Sequence, residues 1–371
     1  MKTRAAVLRE AGADWEVIEL DLDPPGPGEV LIRFVAAGFC HSDEHLRHGD
    51  IVPRFPLVGG HEGAGIIEEV GAGVTRVQTG DHVVCSFIPS CGYCRFCSTG
   101  QQNLCDRGAT ILEGCLPDGT FRFHADGQDF GGMCMLGTFA QRAVISEWSC
   151  VKVDDDLPLD KAVLVGCGVP TGWGSAVYAA ETTPGDTIVI YGIGGIGINS
   201  VQGAAHAGAS NIVAVDPLPM KRERAEELGA THSFETAEQA HEAVQQLTRG
   251  VGADHAIITV VIVNEQVVAA AFDTIRKGGS VVVTGLADPT KVTVQLSGAM
   301  MTLFQKELKG TLFGSSNPMY DIPKLLGMYQ AGQLKLDELI TKTYTLDQIR
   351  DGYNDLLAGK NIRGVLLHDA A

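Results

Sequence analysis

The sequence predicts an α/β protein, a doubly wound parallel sheet joined to a separate β-rich domain, and three observations carry that expectation. From about residue 185, apolar strands alternate with helix-length segments. A glycine-rich turn, Gly192-Ile193-Gly194-Gly195-Ile196-Gly197, joins the first of these strands to the first helix. The first 160 residues instead hold short strands separated by glycine-rich turns. With 371 residues the chain also exceeds the usual size of one hydrophobic core, so two domains are expected.

In the β-rich part, the run from Val30 to Val35 follows a Pro-Gly turn, and Gly65–Gly71 and His82–Cys85 are separated by the turn at Gly80-Asp81. In the second part, strands are expected at Thr187–Tyr191, Asn211–Val215, His255–Val260 and Ser280–Thr284. Helices are expected at Gly197–Ala209, Lys221–Leu228 and Glu265–Arg276. Such alternation implies parallel strands with crossover helices. Beyond residue 310, helices over Ile322–Gln330 and Leu346–Leu357 and a strand over Gly364–Leu367 are expected to rejoin the first domain. The expected boundaries are therefore 1–165 with 311–371 for the β-rich domain and 166–310 for the doubly wound one.

The net charge is −17, from 45 acidic against 28 basic residues. Such a surface repels phosphate backbones and anionic lipid, which argues against nucleic-acid and membrane partners. The apolar run Ala5–Leu8 is too short for a signal-peptide core, and Ile188–Val201 is interrupted by glycines, Asn199 and Ser200. A cytoplasmic protein is expected. In that reducing compartment ten cysteines are better explained by metal than by disulfides.

Gly192 to Gly197 fits G-x-G-x-x-G, a weak signal alone. Here it follows a strand and opens a helix, and Asp216 ends the next strand, where its carboxylate can accept hydrogen bonds from a ribose diol. The glycines allow close approach to a pyrophosphate at the positive end of the helix. Asp216 would repel a 2′-phosphate, so NAD is expected over NADP, with Lys221, Arg222 and Arg224 forming a solvated helix face nearby.

Cys91, Cys94 and Cys97, with Cys105 eight residues on, place four thiolates within fifteen residues. That spacing suits a closed tetrahedral zinc site in a lobe of about residues 89–110. The bacterial iron–sulfur pattern would continue with three residues and Cys-Pro, whereas this chain has seven residues and Cys105-Asp106. A third group is dispersed: Cys40 to His45, Gly60 to Gly65, and Gly166-Cys167-Gly168. No spacing rule makes these a metal site, and on periodicity alone Cys40 and Cys167 as buried small side chains and His61 as a turn residue are the better explanation.

These segments together resemble the zinc-dependent medium-chain alcohol dehydrogenases over essentially the whole length. The matching pieces are Cys40-x-Ser42-Asp43-x-x-His45, Gly60-His61-Glu62-x-x-Gly65, the four-cysteine cluster, and Gly166-Cys167-Gly168-Val169-x-Thr171-Gly172. They continue through the Gly192–Gly197 fingerprint and Asp216 to Asn361-Ile362-Arg363. The resemblance implies a GroES-like catalytic domain beside the Rossmann domain, NAD, and two zinc ions per chain. Cys40, His61 and Cys167 would hold the catalytic ion and Cys91, Cys94, Cys97 and Cys105 the structural one.

The resemblance further implies that Asp43 and Glu62 support the metal ligands. Ser42 would meet the substrate hydroxyl and start a proton relay that ends at His45, and hydride would pass from the substrate carbon to the nicotinamide. Thr171 would pack behind the nicotinamide, His41, Gly194, Gly195 and Arg363 would face the pyrophosphate, and Lys221 would serve the adenosine ribose. Gly192, Ile196 and Gly197 complete the cofactor turn, and Phe87 would line an apolar substrate pocket. Cys85, Cys115, Cys134 and Cys150 carry no role beyond buried packing.

Within that family, the span from Cys105 to Gly137 and the run from Gly310 to Leu325 are most similar to the actinobacterial nicotinoprotein branch, assayed with a nitroso-aniline dye. This branch implies a tightly held, recycling NAD(H), a small alcohol or aldehyde substrate and an external electron acceptor. The fold's relatives imply a homo-oligomer, dimeric or tetrameric. A thiol-adduct formaldehyde dehydrogenase would share every zinc and NAD residue. A zinc-free quinone reductase or a non-enzymatic NAD-binding protein would lack Cys40, His61 and Cys167.

Overall fold

The computed structural model describes residues 1–286 and 294–369. The chain divides into two compact units, Met1–Cys167 with Asn317–Ala371, and Gly168–Ser316. The breaks thus fall at 167/168 and 316/317, two and six residues beyond the positions expected from sequence.

The first unit is β-rich. Lys2–Leu8, Glu16–Leu22, Phe123–Ala125, Gln128–Gly132 and Leu57–Val58 form a closed barrel. A seven-stranded sheet is centred on Glu29–Gly38, which pairs antiparallel with Gly63–Val70, with Arg142–Ser146 and with the late strand Arg363–Leu367. That last pairing brings the C-terminal segment back onto the sheet. Between the two sheets' ends lies an aromatic cluster in which Trp15 stacks on Tyr353 at 5.4 Å and Phe39 meets Tyr353 edge-on at 5.1 Å.

The second unit is a six-stranded, wholly parallel sheet. Its order is His232–Phe234, Asn211–Val215, Thr187–Tyr191, Ala253–Ile258, Ile275–Val283, Glu307–Gly310. In sequence order that is 3-2-1-4-5-6, the doubly wound arrangement. The central strands are apolar on both faces because helices cover both: Ile188, Val189, Ile190, Val213, Ile257 and Val282 are fully buried. Each such side chain contributes about 1.5–3 kcal/mol of burial free energy.

Helix ends follow the local chemistry. Gly197–Ala207 stops two residues before the expected end because Gly208 takes a left-handed conformation, φ 88°. The helix expected at Ile322 starts instead at Pro318, where proline fits the first turn. Among the described residues no single helix is long and apolar enough to cross a membrane.

Candidate active site

Strand register builds the first site. Ala37 pairs with Gly63, Gly63 with Cys85, and Gly38 with Val365, all antiparallel. The continuations Phe39-Cys40, Glu62-His61, Ser86-Phe87 and Gly364-Arg363 therefore emerge at one edge of the sheet. Cys40 leads into the helix His41–His48. Cys167 arrives at the same edge, since a Cβ on Gly166 would lie 2.9 Å from the Cys85 carbonyl and 3.6 Å from Glu62 Cα.

The turn before His61 depends on glycine. Gly60 has φ 85°, and a Cβ there would come within 2.7 Å of the Phe139 backbone nitrogen. With that turn in place, the ligand atoms of Cys40, His61, Glu62 and Cys167 all lie within 4.8 Å of one another. His61 is 2 % exposed, and neither ring nitrogen completes a hydrogen bond. Its Nδ1 stands 3.1 Å from Asp43 Oδ2, in ion-pair range but off the hydrogen-bond line, while Asp43 Oδ1 accepts the Gly60 amide at 2.8 Å. Ser42 Oγ lies 3.5 Å from Cys40 Sγ, and Phe87 presents its ring edge-on to His61 at 5.8 Å.

The electrostatics are those of a cation site. Cys167, by hydrogen bonding, and then His61 and Arg363, by charge, hold the Cys40 thiol well below its usual range. Cys167 is pushed up by the same Cys40 contact and by burial. Burial works against a charged His61, but Asp43 and Cys40 outweigh it and raise the imidazole. Burial raises Asp43, opposed by His61, and carries Glu62 up to about 7 even against Arg363. Two sulfurs, a buried imidazole nitrogen without a partner and an unpartnered Glu62 Oε1 fit a soft divalent ion, with Asp43 as the outer support that a metal-bound histidine needs.

Arg363, expected on the pyrophosphate, is 4 % exposed, and its guanidinium donates to the Glu62 carboxylate. Cys134, with φ 53°, packs partly buried against Leu46, Leu57 and Met133, and burial pushes its thiol up to about 12. By contrast, Cys85 and Cys150 face each other across paired strands and are fully buried, and Cys115 is buried too. His45 carries a partner that the sequence reading missed, Asp50, at 2.8 Å.

The four-cysteine cluster is a second potential metal centre. Its sulfurs also lie within 4.8 Å of one another, with Cys91–Cys97 and Cys94–Cys105 each 3.9 Å apart. Four sulfurs at the zinc–thiolate distance in a tetrahedron stand about 3.8 Å apart. Backbone amides of Cys91, Cys94 and Cys97 point at Cys105, Cys91 and Cys94 sulfurs at 3.4–3.5 Å, which favours thiolates.

In the second unit the Gly192–Gly197 turn crosses the carboxyl ends of the central strands. Gly192 has φ 90°, a Cβ on Gly197 would lie 1.9 Å from the Gly192 carbonyl, and at Gly194 nothing lies within 4 Å of that position. The turn is thus tight at its ends and open in the middle, as Gly194, Gly195 and Ile196 must be for a phosphate to approach the helix start. Asp216 accepts the Ile193 and Leu218 amides at 2.8 and 2.9 Å, with Lys221 Nζ 3.8 Å from its Oδ2. Thr171 is buried in the Gly168–Gly174 helix, and His41 begins the helix after Cys40.

Comparison with known proteins agrees with both units. Residues 26–155 match the alcohol dehydrogenase GroES-like domain, and residues 195–330 match the zinc-binding dehydrogenase family. An NDMA-dependent alcohol dehydrogenase of Amycolatopsis methanolica is 66% identical over 370 residues, 100% of both chains. The chain belongs to the zinc-type alcohol dehydrogenases. Alcohol dehydrogenase B of Mycobacterium tuberculosis is 48% identical over 99% of this chain and 98% of its own. The crystal structure of benzyl alcohol dehydrogenase from Acinetobacter calcoaceticus superposes with a TM-score of 0.92 at 31% identity, covering 100% of both chains.

Proposed function

We propose that the chain interconverts small alcohols with aldehydes or ketones, using NAD and two zinc ions. The observation that carries this is the meeting of Cys40, His61 and Cys167 at one sheet edge, around a buried imidazole nitrogen without a hydrogen-bond partner. Zinc held by those three residues supplies a Lewis acid for the substrate oxygen, and NAD on the Gly192–Gly197 turn supplies the hydride acceptor.

The remaining work belongs to the chain. Ser42, beside Cys40, takes the hydroxyl proton, and His45, three residues along the same helix, passes it toward water. Asp43 fixes the His61 ring, and Arg363 neutralises Glu62 so that the buried floor of the site carries no lone charge. Phe87 gives the pocket an apolar wall, while His41, Gly194 and Gly195 face the pyrophosphate, Thr171 the nicotinamide and Lys221 the adenosine ribose. Cys91, Cys94, Cys97 and Cys105 leave no open position and brace their lobe.

Tight retention of NAD(H), with an external acceptor completing the cycle, is supported by similarity to a relative named for its dependence on NDMA. A homo-oligomer is supported by exposed apolar side chains in the second unit, including Ile262 at 57 % and Leu303 at 75 %. A cytoplasmic location is supported by ten cysteines that form no disulfide.

The experiment is to heat-denature freshly gel-filtered protein, measure the NAD(H) released, and assay alcohol oxidation with added NAD and with a nitroso-aniline dye. Near one cofactor per chain and dye-dependent turnover support retention. Near zero, with turnover on added NAD, indicates an exchanging cofactor. Absence of turnover under both conditions would overturn the reading.

A further inference from the structure

We propose that Asp50 is a positioning residue for His45, fixing which ring nitrogen is free to accept the relayed proton. The proposal rests on the relay reading above and adds a residue to it. His45 Nδ1 lies 2.8 Å from Asp50 Oδ2, and the histidine side chain is 8 % exposed against 37 % for the aspartate. A carboxylate at that distance accepts from Nδ1–H, so the neutral ring presents an unprotonated Nε2. Asp50 thereby sets the tautomer and stands ready to balance the imidazolium that forms when Nε2 is protonated. The proton later leaves from the same Nε2 to water, and the ring returns to its starting form.

The backbone holds this pair in place. The helix His41–His48 ends at Gly49 in the left-handed region, φ 85°. This reversal folds the chain back so that the amides of Asp50 and Ile51 both donate to the His45 carbonyl, at 2.9 and 3.3 Å. The residue bonded to the His45 ring is thus also bonded to the His45 main chain. Two attachments to one residue leave the carboxylate little freedom to turn away, which suits orientation better than a chance surface pair. Within the helix, Arg47 is taken up by Glu44, at 2.9 Å from its Nε, so it does not draw Asp50 off.

The test compares Asp50→Ala, His45→Gln and the double variant, with nitrogen-15 NMR of the imidazoles read on each protein. The His45 signal is assigned by its loss in His45→Gln. In the parent protein His45 is expected as the Nδ1–H tautomer, and in Asp50→Ala that preference is lost. Turnover should fall about tenfold in Asp50→Ala with the alcohol KM little changed, and the double variant should be no slower than the slower single one. An unchanged His45 spectrum and rate in Asp50→Ala, with His45→Gln slow, would overturn the positioning role and leave the relay standing. Full turnover in His45→Gln would overturn the relay, and the role of Asp50 with it.

Discussion

Asp43 braces His61 from behind, with its Oδ2 3.1 Å from the ring Nδ1 and its Oδ1 holding the Gly60 amide at 2.8 Å. One fully buried carboxylate therefore orients both the imidazole and the left-handed turn that delivers it. Asp43→Asn keeps the shape but removes the charge facing His61. Its zinc affinity at the Cys40–His61–Cys167 site should fall about 10–100-fold, measured by competition with a chromophoric chelator. The four-cysteine site should keep its metal.

Gly197→Ala should weaken NAD binding about tenfold or more, a loss of about 1.4 kcal/mol or greater. The added Cβ would meet the Gly192 carbonyl at 1.9 Å and Thr259 Oγ1 at 2.8 Å, so the turn must open where it should be tightest. Fluorescence titration with NADH reads the affinity. Zinc content should not change, because Cys40, His61, Cys167 and the four-cysteine cluster all lie in the other unit.

Much of this was legible from sequence, for identifiable reasons. The parallel strands are continuous apolar runs, so Thr187–Tyr191 and Asn211–Val215 fall where the pattern puts them, as does the antiparallel strand His82–Cys85 of the first unit. The helix His41–His48 has no apolar stripe to read, since Leu46 is its only aliphatic residue. The barrel strands of two to seven residues were equally hard to see, because short strands carry too few alternations. The four-cysteine cluster is local, and its spacing announces it. The Cys40, His61 and Cys167 group is created by cross-strand register, which resemblance can suggest but spacing cannot. The pairing of Arg363 with Glu62 and of Asp50 with His45 needed the coordinates.

His368 gives a pH-dependent stability. It is 8 % exposed, its Nε2–H donates to the Thr138 carbonyl at 3.0 Å, and burial pushes its pKa from 6.5 to about 4. The unfolded chain takes up this proton near 6.5 and the folded chain only near 4, so the unfolded state binds more protons between those values. Stability is fully present above 6.5 and is lost as pH falls toward 4, by about 3 kcal/mol for this group. Urea midpoints from pH 7 to 4 should fall less steeply in His368→Gln than in the parent protein. Parallel curves would show that another group sets the acid limb.

Cys97→Ser should lower thermal stability. A closed four-thiolate site contributes metal-binding energy to folding, and losing one ligand should cost at least about 2 kcal/mol, or about 5 °C or more in Tm. Excess chelator should then lower the Tm of the parent protein and have much less effect on the variant.

The decisive measurement is zinc per chain by atomic emission, taken beside alcohol oxidation, in the parent protein, Cys167→Ser and Cys97→Ser. Two zinc ions in the parent and one in each variant are expected, with oxidation lost in Cys167→Ser and retained in Cys97→Ser. Fewer than two ions in the parent, or undiminished oxidation without Cys167, would contradict the assignment of the metal to Cys40, His61 and Cys167.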